Sequence, residues 1–111
     1  MYVEFLRMNY EVSEAGDGVA ALQAIVERMP DIVVTDLALP RMDGFELVAR
    51  IRAGAQTANL PVIALSGYSG PEYDDRIRTA GTTRVLMKPC MPDALVDAIN
   101  EVLIRRHGEP A

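Results

Sequence analysis

Three short apolar runs, Ile32 to Thr35, Val62 to Leu65 and Val85 to Met87, constrain this chain more than any other feature. They lack the in/out alternation of a half-exposed strand, so each reads as a strand buried on both faces. Segments of helical period lie between and beyond them. Leu22, Ile25, Val26 and Met29 fall at i, i+3, i+4 and i+7, and Leu95, Ile99, Val102 and Leu103 mark a second stripe. Strands and helices alternating in this way predict a parallel sheet with helices on both faces. The punctuation agrees: Asp43 and Glu46 have the spacing of a capping box, Pro71 and Pro92 suit a first helical turn, and Gly81 suits a helix C-terminus.

Composition limits what such a sheet can serve. The chain has 111 residues, half of them apolar, which predicts one domain with a real core over residues 1–105 and a short polar tail over 106–111. No apolar run approaches the ~18 residues that a membrane span needs. The start lacks the basic flank and long apolar centre of a secretion signal, so a cytoplasmic location is expected. A lone cysteine, Cys90, makes no internal disulfide and reads as a small packing residue, while a single histidine, His107, reads as solvated tail. A net charge of −5 argues against nucleic acid and anionic lipid as partners and points to proteins. The loop Ala53 to Asn59 reads as loosely specified.

Ligands of open α/β sheets bind beyond the carboxyl ends of the strands. Asp36 closes the run IVVTD, Ser66 closes VIALS, and Lys88 closes VLMK just before Pro89. A charge at the edge of a buried segment is costly unless something pairs with it or uses it. A carboxylate that attacks phosphorus, a hydroxyl that donates to a phosphoryl oxygen and a lysine that offsets the developing charge together suit phosphoryl transfer. Polar residues do often end strands, but three on neighbouring strands form a constellation.

The phrases DIVVTDLALPRMDG, PVIALSGYS and VLMKP, spaced 30 residues from Asp36 to Ser66 and 22 from Ser66 to Lys88, resemble the receiver domain of two-component response regulators. NYEVSEAGDGVAAL resembles that family's second strand and second helix, with the strand at Tyr10 to Glu14. The resemblance implies a flavodoxin-like, doubly wound parallel sheet of strand order 2-1-3-4-5. It implies that Asp36 accepts a phosphoryl group from a phosphohistidine on a sensor kinase or phosphotransfer protein, that Ser66 and Lys88 bind the group, and that Mg²⁺ bridges it to Asp36 and the backbone carbonyl of Ala38. By the same resemblance Ala38 and Tyr68 tune the rate of self-dephosphorylation, Val85 holds the switch position, and the bond before Pro89 is cis. The partner face combines the Pro71 to Gly81 helix, the strand at Val85 to Met87 and the last helix.

Two departures from the family pattern stand out. The first strand of a receiver, with its acidic pair for the metal, has no counterpart here, which predicts an open seam beside Asp31 to Asp36 and weak or absent Mg²⁺ binding. Val85 stands where the family usually has an aromatic residue that swings inward. Glu14 and Asp17 read as loop residues, and Asp43 as a helix cap. A phosphate-independent pseudoreceiver acting as a binding module is therefore the alternative reading. An aspartate-nucleophile phosphatase of the haloacid dehalogenase kind is disfavoured, since its general acid would stand at Ala38.

Overall fold

A computed structural model of the chain describes residues 6–8, 10–37, 44–67, 76, 79–88 and 91–107. Three strands, β1 (Val33–Asp36), β2 (Val62–Ser66) and β3 (Arg84–Met87), run parallel in the order β1-β2-β3. Three helices, α1 (Gly18–Glu27), α2 (Gly44–Ala53) and α3 (Pro92–His107), cover them. All three apolar runs became strands, shifted by at most one residue at either end. The register places Asp36 beside Leu65, and Ser66 beside Met87.

The unbroken apolar run predicts burial on both faces, and β2 shows it at every position. Alternation along that strand divides its side chains between two cores. Ile63 and Leu65 meet Leu95, Ala98, Ile99 and Val102 of α3 on one face, while Val62 meets Ile25 of α1 and Leu47, Val48 and Ile51 of α2 on the other. The stripe read from Leu95 to Leu103 is therefore the buried face of α3. Pro92 opens α3 as its first residue, and Gly81 has the positive φ of 89° that a helix-ending glycine takes. The helix runs to His107, so it includes the first two residues of the expected polar tail; basic Arg105 suits its negative end.

Several expectations need correction. β1 is only partly buried and β3 is exposed at both ends, so neither is covered like β2. The reason is position: among the described residues each is an edge of the sheet. The segment Tyr10 to Glu14 forms no strand, because no described strand lies beside it to complete a ladder. Side chains hold it instead. Tyr10 and Val12 pack on the α3 core, the Tyr10 hydroxyl donates to Asn100, and Glu11 pairs with Arg28 at 2.7 Å. Burial raises the Tyr10 phenol above its ordinary pKa, so it remains a donor at neutral pH. The described sheet holds three parallel strands in chain order. Strands 2 and 1 of the expected order 2-1-3-4-5 have no counterpart among the described residues.

Only part of the apolar stripe in and after α1 is buried. Ile25 is buried and Leu22 packs beside it, but Val26 is 77% exposed, and Met29 lies past the helix end at Glu27. The expected loose loop Ala53 to Asn59 is tied down. Thr57 N–H donates to Gly54 O at 3.2 Å, the Thr57 hydroxyl donates to Ile51 O, and Arg52 reaches across the loop.

Candidate functional site

The site lies at the carboxyl end of the sheet, and strand alternation explains which groups meet there. Val34 packs on the α3 core, so Asp36, two residues on, projects toward the same face. Leu86 of β3 packs there too, which sends Lys88 to that face just beyond the strand. Two strand spacings, roughly 10 Å, separate β1 from β3. The long lysine side chain spans them by passing beside Gly67, its Cδ 4.0 Å from where a Cβ on that glycine would stand. Its ammonium pairs with Asp36 Oδ1. That oxygen is buried and, the ion pair aside, accepts no hydrogen bond among the described residues. The Asp36 side chain as a whole is 37% exposed, so its accessible part includes the other oxygen.

Ser66 is placed differently. It follows Leu65 on β2, so alternation turns it to the opposite face, and it is fully buried. Its carbonyl accepts the Lys88 N–H at 2.8 Å, which fixes the lysine's backbone relative to β2. The fold thus brings Asp36 and Lys88 into contact, with Ser66 one step away on the strand between them.

The backbone at Asp36 is held from two directions. The Thr35 hydroxyl donates to Asp36 O at 2.9 Å. Gly44 begins α2 against the same carbonyl, donating its N–H to Leu37 O at 2.8 Å. A Cβ on Gly44 would stand 2.3 Å from Asp36 O and 2.5 Å from Leu37 Cα, so only glycine allows this approach. Phe45, the next residue, carries the guanidinium of Arg76 over its ring at 4.0 Å.

A model of the response regulator receiver domain matches residues 2–100. The chain belongs to the response regulator receiver family. The receiver is 32% identical over 92 residues to the transcriptional regulatory protein YesN of Bacillus subtilis, covering 83% of this chain but only 24% of YesN. Chemotaxis response regulator CheY4 of Vibrio cholerae superposes with a TM-score of 0.83 at 31% identity, over 92% of this chain and 86% of that one. The receiver domain of sensor histidine kinase PA1611 from Pseudomonas aeruginosa, whose active-site cleft coordinates a magnesium ion, gives 0.79 at 26% identity, over 96% and 85%. These neighbours confirm the flavodoxin-like parallel α/β fold. Receiver domains are signalling modules of two-component systems that interact with histidine kinases and downstream effectors. No described helix of this one is long and apolar enough to cross a membrane.

Not every residue named from sequence falls within the description. Ala38, Asp43, Tyr68, Pro89 and Cys90 lie outside the described residues, as does most of Pro71 to Gly81. Val85 is partly buried in β3 beside Ala64. Glu14 pairs with Arg7 at 3.5 Å, and an Asp17 oxygen caps α1 by accepting from Ala20 N at 2.9 Å. Sequence reasoning missed Gly44 and Arg52. A glycine immediately after a turn and before a helical stripe was a usable signal for the first.

Proposed function

We propose that this receiver accepts a phosphoryl group on Asp36 and signals by docking to another protein. The observation that carries the reading is the meeting of Asp36 and Lys88 across β2 at the carboxyl edge, with Ser66 on the strand between them. The accessible oxygen of Asp36 attacks phosphorus in line with the phosphorus–nitrogen bond of a phosphohistidine. A phosphorus–oxygen bond forms as the phosphorus–nitrogen bond breaks, and the departing imidazole keeps the electron pair and takes up a proton. Lys88 then shifts its ammonium from the carboxylate to the new phosphoryl oxygens, which carry about −1.5 to −2 charges. Because Ser66 is buried on the other face, its hydroxyl reaches the phosphoryl group only if the end of β2 moves. That motion is the route by which the site signals to a docking partner.

Magnesium supplies charge neutralisation of the transferring group in receivers that bind it. The described residues do not fit it. Mg²⁺ takes near-octahedral oxygen coordination, and no three metal-ligating side chains cluster among the described residues. This mismatch favours a second reading, a pseudoreceiver that docks without phosphate.

Intact mass after incubation with phosphoramidate separates the two. The phosphoacceptor reading expects one phosphoryl adduct on the folded protein and none on Asp36→Asn. Ser66→Ala, which removes a donor that reaches the group only once β2 has moved, should leave the rate of adduct formation within about threefold of wild type and shorten the lifetime of the adduct. A folded wild type that takes up no phosphoryl group would transfer the assignment to the pseudoreceiver.

A further inference from the structure

We infer that the stack of Arg76 on Phe45 is a latch that opposes phosphorylation of Asp36. It ties the chain beyond β2 to the start of α2 while the carboxylate is unmodified, and it loosens when a phosphoryl group arrives. The inference rests on the reading of Asp36 as phosphoacceptor and adds the residues that set how far the phosphorylated form is populated.

A run of close contacts leads from Asp36 to Arg76. Gly44 opens α2 directly against the Asp36 backbone: a Cβ there would stand 2.3 Å from Asp36 O, and the Gly44 N–H donates to Leu37 O at 2.8 Å. That link has no slack. A shift of the backbone at Asp36 therefore passes to the first turn of α2, since groups packed this closely move together rather than compress. Phe45 is the next residue of the same turn and is half-buried, and the Arg76 guanidinium lies 4.0 Å from its ring centroid. Arg76 is exposed and belongs to the chain that follows Ser66, the strand end that has to move before its hydroxyl reaches the phosphoryl group. One contact thus joins the two pieces that phosphorylation displaces.

The sign of the coupling follows from the geometry. A cation is attracted to an aromatic face within about 6 Å of the centroid, and at 4.0 Å the guanidinium has little room for a closer approach. The contact is made while Asp36 is unmodified, so a displacement of either partner weakens it. Coupling between two events is reciprocal: a contact that phosphorylation weakens opposes phosphorylation by the same factor. Phe45 and Arg76 each have other contacts as well, so a single substitution does not isolate the stack and a double variant is needed.

The test follows the adduct formed by phosphoramidate on the 111-residue chain, read as intact mass at steady state. Phe45→Leu removes the ring but keeps an apolar residue, and Arg76→Gln removes the charge. Each should raise the ratio of phosphorylated to free protein about two- to fivefold, the factor that corresponds to an exposed cation–π contact of ~0.5–1 kcal/mol. The double variant should rise no further than either single one. Phe45→Trp keeps a ring under the guanidinium, so its ratio should lie at or below the wild-type value. The chain has no tryptophan of its own, so the emission of this variant also reports on the stack. Emission should change in step with the adduct, stay constant when Asp36→Asn is added, and change little in the Arg76→Gln background. Single variants that keep the wild-type ratio, single effects that multiply in the double variant, or an adduct that leaves the emission unchanged would each overturn the latch and leave Asp36 as phosphoacceptor. No adduct on any folded variant would overturn the phosphoacceptor reading, and the latch with it. Arg76→Gln changes an exposed residue and decides the matter by its ratio even if the changes at Phe45 prevent folding.

Discussion

Gly44→Ala is expected to lower both the stability of the protein and its phosphoryl uptake. The added methyl would meet Asp36 O at 2.3 Å and Leu37 Cα at 2.5 Å, and both obstacles are backbone. No rotamer relieves such a clash, so either α2 retreats from β1 or the end of β1 bends. Overpacking of this kind typically costs about 1–3 kcal/mol, and a collision with backbone on two sides belongs at the upper end. The functional loss has a separate origin. Asp36 owes its direction to a backbone fixed by the Thr35 hydroxyl on its own carbonyl and by the Gly44 N–H on the next carbonyl, Leu37 O, and small misplacements of a nucleophile are costly. Urea midpoints give the first quantity. Adduct yield at a urea concentration where the variant is fully folded gives the second. A variant with a wild-type midpoint would show that the start of α2 does not press on Asp36 as described.

Arg52→Ala is the complementary case, a large loss of stability with little change in phosphoryl chemistry. Arg52, near the end of α2, donates to Gly81 O at 2.8 Å, Ala58 O at 3.3 Å and Leu60 O at 2.6 Å. One guanidinium thereby joins the helix to the loop before β2 and to the turn before β3. Burial pulls its pKa below the ordinary arginine value, but arginine remains charged at any working pH. Hydrogen bonds from a charged donor contribute about 1.5–3 kcal/mol each in protected settings. Here the carbonyls regain some water when the side chain is removed, which brings the expected total to about 2–4 kcal/mol. Lysine cannot span three carbonyls with one ammonium, so Arg52→Lys should recover less than half of the loss. Because these contacts lie at the amino ends of β2 and β3, far from Asp36, the folded variant should form its adduct at nearly the wild-type rate. A rate that fell with the stability would instead tie the two ends of the sheet together.

Arg52 and Gly44 also show where sequence reasoning reached its limit. Hydrophobic runs announce strands, and β1, β2 and β3 were legible for that reason, although only β2 is buried at every position. Asp36 and Lys88 were legible as well, since a charged residue ending such a run asks for a partner, and each proved to be the other's. The facing of Ser66 followed from the period of the strand but was visible only once the register with Leu65 was fixed. Arg52 left no trace in the sequence: its three acceptors are backbone carbonyls, which every residue carries. The exposure of Val26 and the absence of a strand over Tyr10 to Glu14 were misread for a related reason. Both depend on which neighbour lies alongside, and periodicity in one segment does not report its neighbours.

The phosphoacceptor assignment is tested most directly by locating the group on the chain. The folded protein is treated with phosphoramidate, reduced with borohydride to convert any acyl phosphate to homoserine, and sequenced as peptides by tandem mass spectrometry. The account predicts homoserine at position 36 and at no other acidic residue, lost in Asp36→Asn. Homoserine at a different aspartate, or none from a protein shown to be folded in the same tube, would contradict it.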